Sequence, residues 1–198
     1  AAKYPGHSFV LVGNREILAE RAKLLGLDLT AFETVHTDTV ITMDDDPMCV
    51  TRGKKDSSMS VGLRLLSEGK GDAFVSSGNT GALFTGATLI VRKIRGVQRA
   101  SIGAVLPLAN PTLLLDSGAN LVVTDEQYEQ FAVMGTAYMK YVMKLSDVRV
   151  GLLNNGTEAH KGTEAVIAAN ERLLRCRGIH YVGNIEAGMA TAGACDVL

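Results

Sequence analysis

The sequence is poor in cysteine, nearly neutral and without a long apolar run, and each scarcity closes a class of function. Cys49, Cys176 and Cys195 are the three cysteines among 198 residues. They stand far apart, with no Cys-x-x-Cys pair and no Cys/His spacing suited to zinc, so no metal site is expected. Isolated thiols read as small buried hydrophobes in a reducing, cytoplasmic setting. Lys plus Arg is 20 against 21 Asp plus Glu, a net charge of −1. Nucleic-acid binders usually carry a basic excess, so nucleic acid is not an expected partner. The longest membrane-like run, Ala82 to Val91, is interrupted by Thr85, Gly86 and Thr88 and falls well short of the about 20 residues a spanning helix needs. The opening residues Ala1 to His7 contain no apolar stretch, so no secretory signal is expected there.

Three nucleotide and hydrolase signatures are also missing. There is no Gly-x-x-x-x-Gly-Lys-Ser/Thr, no Gly-x-Gly-x-x-Gly and no Gly-x-Ser-x-Gly. These absences disfavour a P-loop nucleotidase, a standard dinucleotide site and a serine hydrolase. Apolar residues at 46% and charged residues at 21% match a globular chain and exclude intrinsic disorder.

Glycine is abundant, with 21 residues gathered in short, spaced clusters. Such clusters favour tight turns and close backbone approach to a ligand. Between them, short β-rich runs alternate with helical ones. Strands are expected at 9–12, 32–37, 73–76, 102–106, 113–116, 148–153 and 179–182. Helices are expected at 15–25, from Ser57 or Ser58 to 68, and at 82–95, 125–145 and 163–177, with 39–55 as a loop. Thr124 to Gln127 resembles a capping box. Strands separated by helices imply an α/β fold with a mostly parallel sheet covered on both faces. The whole of 1–198 reads as a single domain. The last residues, Cys195 to Leu198, read as the start of a further buried strand, and both ends of the chain look cut.

In a parallel α/β sheet, ligands bind at the carboxyl ends of the strands, so the turns after the strands are the candidate site. They are Ser77-Gly78-Asn79-Thr80-Gly81, then Asp116-Ser117-Gly118-Ala119-Asn120. Next come Asn154-Asn155-Gly156-Thr157-Glu158 with His160-Lys161-Gly162, and Gly183-Asn184-Ile185-Glu186. Glycine points backbone N–H groups inward, a helix start at Thr80 or Gly81 favours phosphate, Asn and Thr add neutral hydrogen bonds, and Lys161 adds a full positive charge. His160 reads as an exposed loop histidine, with general-base chemistry as the alternative. Two basic groups, Arg92, Lys93 and Arg95 with Arg99, and Arg172, Arg175 and Arg177, read either as solvated helix ends or as a docking face for an acidic protein.

Several segments together resemble the PlsX family of bacterial phosphate acyltransferases. They are Ser76 to Leu83, Leu114 to Asn120, Phe131 to Gly135, Val150 to Asn154 with Gly156 and Lys161-Gly162, and Gly183 to Ala187, preceded by Asp46-Pro47 and Lys54 to Met59. The likeness spans about residues 9 to 198, in the family's order and spacing. Gly188-Met189 depart from it, standing where the family commonly has Arg and an acidic residue.

The resemblance implies a three-layer α/β sandwich related to isopropylmalate dehydrogenases and phosphotransacetylases. It implies transfer of a fatty acyl group from acyl carrier protein to inorganic phosphate, giving acyl phosphate for phospholipid synthesis, without a cofactor. The enzyme would be a cytoplasmic homodimer touching the membrane peripherally through a missing C-terminal region. By the family's measure, a glycine-rich turn is missing before residue 1 and another after Leu198. Asp116, Lys161, Asn184 and Glu186 would be catalytic. Ser77, Gly78, Asn79, Thr80, Gly81, Gly118, Asn120, Asn154 and Gly156 would bind phosphate and substrate. Asn79, Asn154 and Asn184 are the candidate oxyanion donors, and Arg92, Lys93, Arg95, Arg172 and Arg175 would dock the carrier protein. The alternatives are a phosphotransacetylase-like enzyme using acyl-CoA and an inactive paralogue that still binds the carrier protein.

Overall fold

The structure, a computed structural model, describes residues 6–198; most of the opening run of Ala1 to His7 lies outside the described residues. The chain forms two compact units, Ala1–Ile94 and Arg95–Leu198.

In the first unit, β1 (Val10–Gly13) and β2 (Glu33–His36) form a parallel pair, Val10 opposite Glu33 and Gly13 opposite His36. Helix α1 (Arg15–Leu24) crosses between them. Asn14 caps it, its side-chain oxygen accepting from Ile17 N at 2.9 Å. The 39–55 region is irregular apart from a short 3-10 turn at Pro47–Val50, opened by Asp46, whose carboxylate accepts from Met48 N at 2.7 Å. Ser57 then caps α2 (Ser58–Ser67). Ser57, Ser60 and the carbonyls of Val50 and Lys54 form a buried hydrogen-bonded group. This satisfies polar atoms beside the unit's core of Ile41, Val50, Met59, Leu63 and Ala82.

Two expectations in this unit fail. Residues 73–76 are not a strand. No described strand lies alongside to supply a ladder; Phe74 instead packs on α2 at Gly62, where a Cβ would fall 2.2 Å from its ring, while Val75 is 91% exposed. An apolar run without a hydrogen-bonding neighbour has no reason to become a strand. The helix expected at 82–95 is α3 (Thr80–Gly86), which continues as a π-helical stretch, Ala87–Val91. It stops where Arg92 adopts φ 75°.

The second unit carries the larger sheet. Strands β3 (Gly103–Pro107) and β4 (Pro111–Leu115) form an antiparallel hairpin. Strands β5 (Arg149–Leu153) and β6 (His180–Ile185) run parallel, with an irregularity where Gly183 takes φ 98°. The end of the chain lies between the two pairs. Val197 bridges in parallel to both Leu113 and Val150. Leu113 N donates to Asp196 O, Leu198 N to Leu113 O and Gly151 N to Val197 O, each at 2.8 Å. The order is thus β3, β4, residues 196–198, β5, β6, parallel throughout except for β3. The expected strand at the chain's end is present and central.

Helices α4 (Asp125–Tyr141) and α5 (Glu164–Arg175) pack with this sheet, and a short α6 (Ala187–Thr191) follows β6. The capping box forms, with both Thr124 and Gln127 side chains engaged. Gly135 brings α4 onto the central strand; a Cβ there would lie 2.5 Å from Val197 Cγ1. The core is Leu113, Ala132, Met139, Val148, Val150, Leu152, Ala169, Leu173 and Val197. All three cysteines are free thiols, Cys195 fully buried.

Arg149 locks the central strand to β5. Its Nε and Nη2 donate to the two carboxylate oxygens of Asp196 at 3.0 and 2.9 Å, and its backbone N–H adds a bond at 2.9 Å. Burial pushes the Asp196 carboxyl upward, but the hydrogen bonds and charge of Arg149 outweigh burial and hold it below its ordinary value. A carboxylate depressed in the folded state adds stability above its unfolded pKa of about 4, and that stability is lost as pH falls through the lower folded value. Asp196→Asn is therefore expected to flatten the acid limb of the urea-midpoint-against-pH curve. It should also lower stability at neutral pH by ~1–2 kcal/mol, because it leaves the guanidinium of Arg149, itself one-third exposed, without its buried carboxylate partner.

Candidate active site

Three of the four expected corners lie in the second unit and leave the same edge of its sheet, because β4, β5 and β6 run parallel there. The fourth, Ser77 to Gly81, belongs to the first unit.

The corner after β4 is built on Asp116. Its Oδ1 accepts from Ile102 N and Ala119 N at 3.2 Å and from Ser101 Oγ at 3.4 Å. Its Oδ2 accepts from Asn120 N and Nδ2, both at 2.8 Å. Asn120 also donates to Ala100 O at 3.1 Å and accepts from Arg99 Nε at 2.5 Å. Both side chains are thereby held rigidly, and both are spent on shaping the turn. Gly118, at φ 102° with nothing within 4 Å of a Cβ, leaves open space above it. Arg99, Ser101 and Tyr128 belong to this corner; nothing in the sequence points to Ser101 or Tyr128, and Arg99 reads there only as part of a basic group. They come from β3's approach and from α4, and no spacing in the sequence links them to Asp116. Burial pushes the Tyr128 phenol up, and the Asp116 charge adds to the shift.

The corner after β5 presents Lys161. Asn154 holds it through Nδ2, which donates to Lys161 O at 3.0 Å. From β6, Asn184 Nδ2 donates to Glu158 O at 3.0 Å. These two asparagines tie the 154–162 loop to two neighbouring strand ends. Gly156 is buried beneath it, where a Cβ would meet Glu158 Oε2 at 2.7 Å and Lys161 Cγ at 3.0 Å. The Lys161 ammonium makes no salt bridge or hydrogen bond among the described residues. Asn184 Oδ1 is buried and unpartnered among them as well. Glu186 is exposed at the start of α6 and its side chain makes no capping bond. His160 is exposed on the same loop.

In the first unit Asn79 is a clamp. Its Nδ2 faces the carbonyls of Thr42, Met43 and Asp45 at 3.1, 3.3 and 3.1 Å, and its Oδ1 accepts from Ala82 N at 3.0 Å. Two amide hydrogens shared among three carbonyls leave none for an oxyanion, so the structure gives Asn79 a folding role in place of that contact. Gly81 is small because Pro47 packs there, 2.8 Å from where a Cβ would stand. Ser77 and Thr80 are exposed, and Gly78 N donates to Ser76 Oγ at 3.1 Å.

Of the expected docking residues, Arg172 does not offer a free charge. It is ringed by Asp125 at 3.2 Å, Glu126 at 3.7 Å and a close contact with Glu129, all from α4. Arg175 pairs with Glu171 at 3.8 Å. Carboxylates of the facing helix α4 thus neutralise Arg172, whereas Arg175 has only a loose, exposed pair within its own helix. Arg92, Lys93 and Arg95 are exposed.

Asn79→Ala removes a helix cap and uncovers three carbonyls. It is expected to destabilise the protein by about 2–3 kcal/mol, measured by chemical denaturation.

Comparison with known proteins places the chain in a lineage. The model of the family described as "Fatty acid synthesis protein" matches residues 1–198. A phosphate acyltransferase of Acetivibrio thermocellus is 42% identical over 98% of this chain and 57% of its own length. That of Thermotoga petrophila is 44% identical over 100% of this chain and 56% of its own. The chain therefore spans a little over half the length of these curated relatives. Among solved structures, the EutD phosphotransacetylase from Staphylococcus aureus superposes with a TM-score of 0.61 at 16% identity, covering 96% of this chain and 68% of that one. A branched-chain phosphotransacylase from Enterococcus faecalis gives a TM-score of 0.52 at 13% identity, over 97% and 78%. The α/β fold is accordingly phosphotransacetylase-like, and the chain belongs to the fatty acid synthesis protein family.

Proposed function

We propose that the protein of which this chain is part transfers a fatty acyl group from acyl carrier protein to inorganic phosphate. A phosphate oxygen attacks the thioester carbonyl carbon, forming a C–O bond. The tetrahedral intermediate then expels the carrier thiolate as the C–S bond breaks, leaving acyl phosphate, and the thiolate takes up a proton. Phosphate is already an anionic nucleophile at neutral pH, so positioning supplies much of the rate, and no covalent acyl-enzyme is needed.

The observation that carries this reading is Lys161, an ammonium without an internal partner, set by Asn154 and Asn184 at the edge where β4, β5 and β6 end. It balances the charge of phosphate. Gly118 N–H, at an open left-handed turn, is a candidate donor to the developing oxyanion. Glu186 takes the proton of monohydrogen phosphate. Asp116 acts at one remove, by fixing the turn that carries Gly118. Within the first unit, Ser77, Gly78, Thr80 and Gly81 are kept as phosphate-binding candidates of their own turn. Arg92, Lys93 and Arg95 steer the acidic carrier protein. The same reading carries a cytoplasmic homodimer in peripheral contact with the membrane, and no described helix is long and apolar enough to cross one.

A second reading, with coenzyme A as the acyl carrier, draws on the likeness to phosphotransacetylases. Supplying the full-length protein with phosphate and either acyl carrier thioester or acyl-CoA separates the two by rate. Binding of the carrier without turnover would leave a non-catalytic role. In the full-length enzyme, Lys161→Ala is expected to raise KM for phosphate ~10–100-fold, the worth of a hydrogen bond to a charged group, and Lys161→Arg to recover part of the loss. An unchanged phosphate KM would remove Lys161 from this role.

A further inference from the structure

A cavity of about 270 Å³ opens beside the Asp116 corner, between α4 and the ends of β4, residues 196–198 and β5. Leu115, Leu121, Phe131, Leu153 and Val197 make its wall, with Tyr128 beside Asp116. Asp116 is the one charged residue lining it, and both of that carboxylate's oxygens are already occupied by N–H donors. The cavity is therefore apolar along its length and polar only at the corner. Leu121, at its rim, is fully exposed at 103% and the adjoining Val122 is 77% exposed. Large apolar side chains left in water around an apolar opening favour a ligand that covers them.

We infer that this cavity is the subsite for the acyl chain of the donor, with the thioester end at the Asp116–Asn120 corner and the methylenes running under α4 between Phe131 and the sheet. The inference rests on the acyl-transfer reading and names where the substrate's apolar part is held. A linear chain with one polar end fits these walls. A phosphate, a nucleotide or a charged peptide would find no partner in them, since the only charge present is anionic and already satisfied. The Tyr128 hydroxyl has no hydrogen-bond partner among the described residues and is the polar group placed to meet the carbonyl end.

The test uses the full-length enzyme and a series of carrier-protein thioesters from butyryl to palmitoyl. Each methylene buried in an apolar site is worth about fourfold, so kcat/KM should climb with chain length. Leu121→Asp puts a charge at the rim on an exposed loop and is expected to cut the palmitoyl-to-butyryl ratio of kcat/KM by ~10-fold or more. Leu153→Trp, which narrows the cavity from the end of β5, should shift the preference toward shorter chains. Circular dichroism confirms folding of each variant, and either variant that folds decides the matter. Chain-length profiles unaltered in a folded variant overturn the subsite while leaving acyl transfer to phosphate intact. A wild-type enzyme that forms no acyl phosphate from any donor overturns the reading beneath it, and the subsite falls with it.

Discussion

The insertion of Asp196 to Leu198 between β4 and β5 is the constraint on which the second unit depends. Two separate pairs, an antiparallel hairpin and a parallel couple, become one sheet only because this short segment hydrogen-bonds on both sides. The Arg149–Asp196 pair fixes its register, and Gly135 and Gly151 admit the neighbouring helix and strand closely enough for Val197 and Cys195 to be covered. With the strands so aligned, the ends of β4, β5 and β6 share an edge, and their polar corners follow from that alignment.

Those corners divide the labour of asparagine and glycine in a way their composition does not disclose. Asn79, Asn120, Asn154 and Asn184 look alike in sequence. Each donates an amide hydrogen to a backbone carbonyl of a loop or turn, and Asn120 gives another to the Asp116 carboxylate. In the second unit they shape the corners at the sheet edge: Asn120 braces the turn that carries Gly118, and Asn154 and Asn184 set the loop that carries Lys161. Glycines divide similarly. Gly81 and Gly156 are small because Pro47 and the Lys161 stem pack against them, whereas Gly118 faces empty space. An acidic and a basic cluster likewise cancel, since Arg172 is enclosed by carboxylates of α4.

Helix positions were largely legible because their signals are local. Asn14, Ser57, Thr124 and Thr163 each accept a hydrogen bond from the first turn that follows, and a cap needs only residues three apart. Strand positions were legible where a partner existed. The run 73–76 has the composition of a strand and lacks a neighbour, so it lies irregularly over Gly62. The π-helical turn at Ala87–Val91 had no local signal either.

By itself the sequence determined the alternation of helix and strand, the caps at Ser57 and Thr124, the central strand at residues 196–198 and the family, because these rest on short-range patterning and on residue order along the chain. Tertiary structure alone decided which polar side chains are spent on folding and which remain available, that Arg172 is neutralised, that residues 73–76 find no ladder, and that an apolar cavity opens beside Asp116. Those outcomes depend on groups tens of residues apart meeting in space, and no spacing along the chain encodes such a meeting.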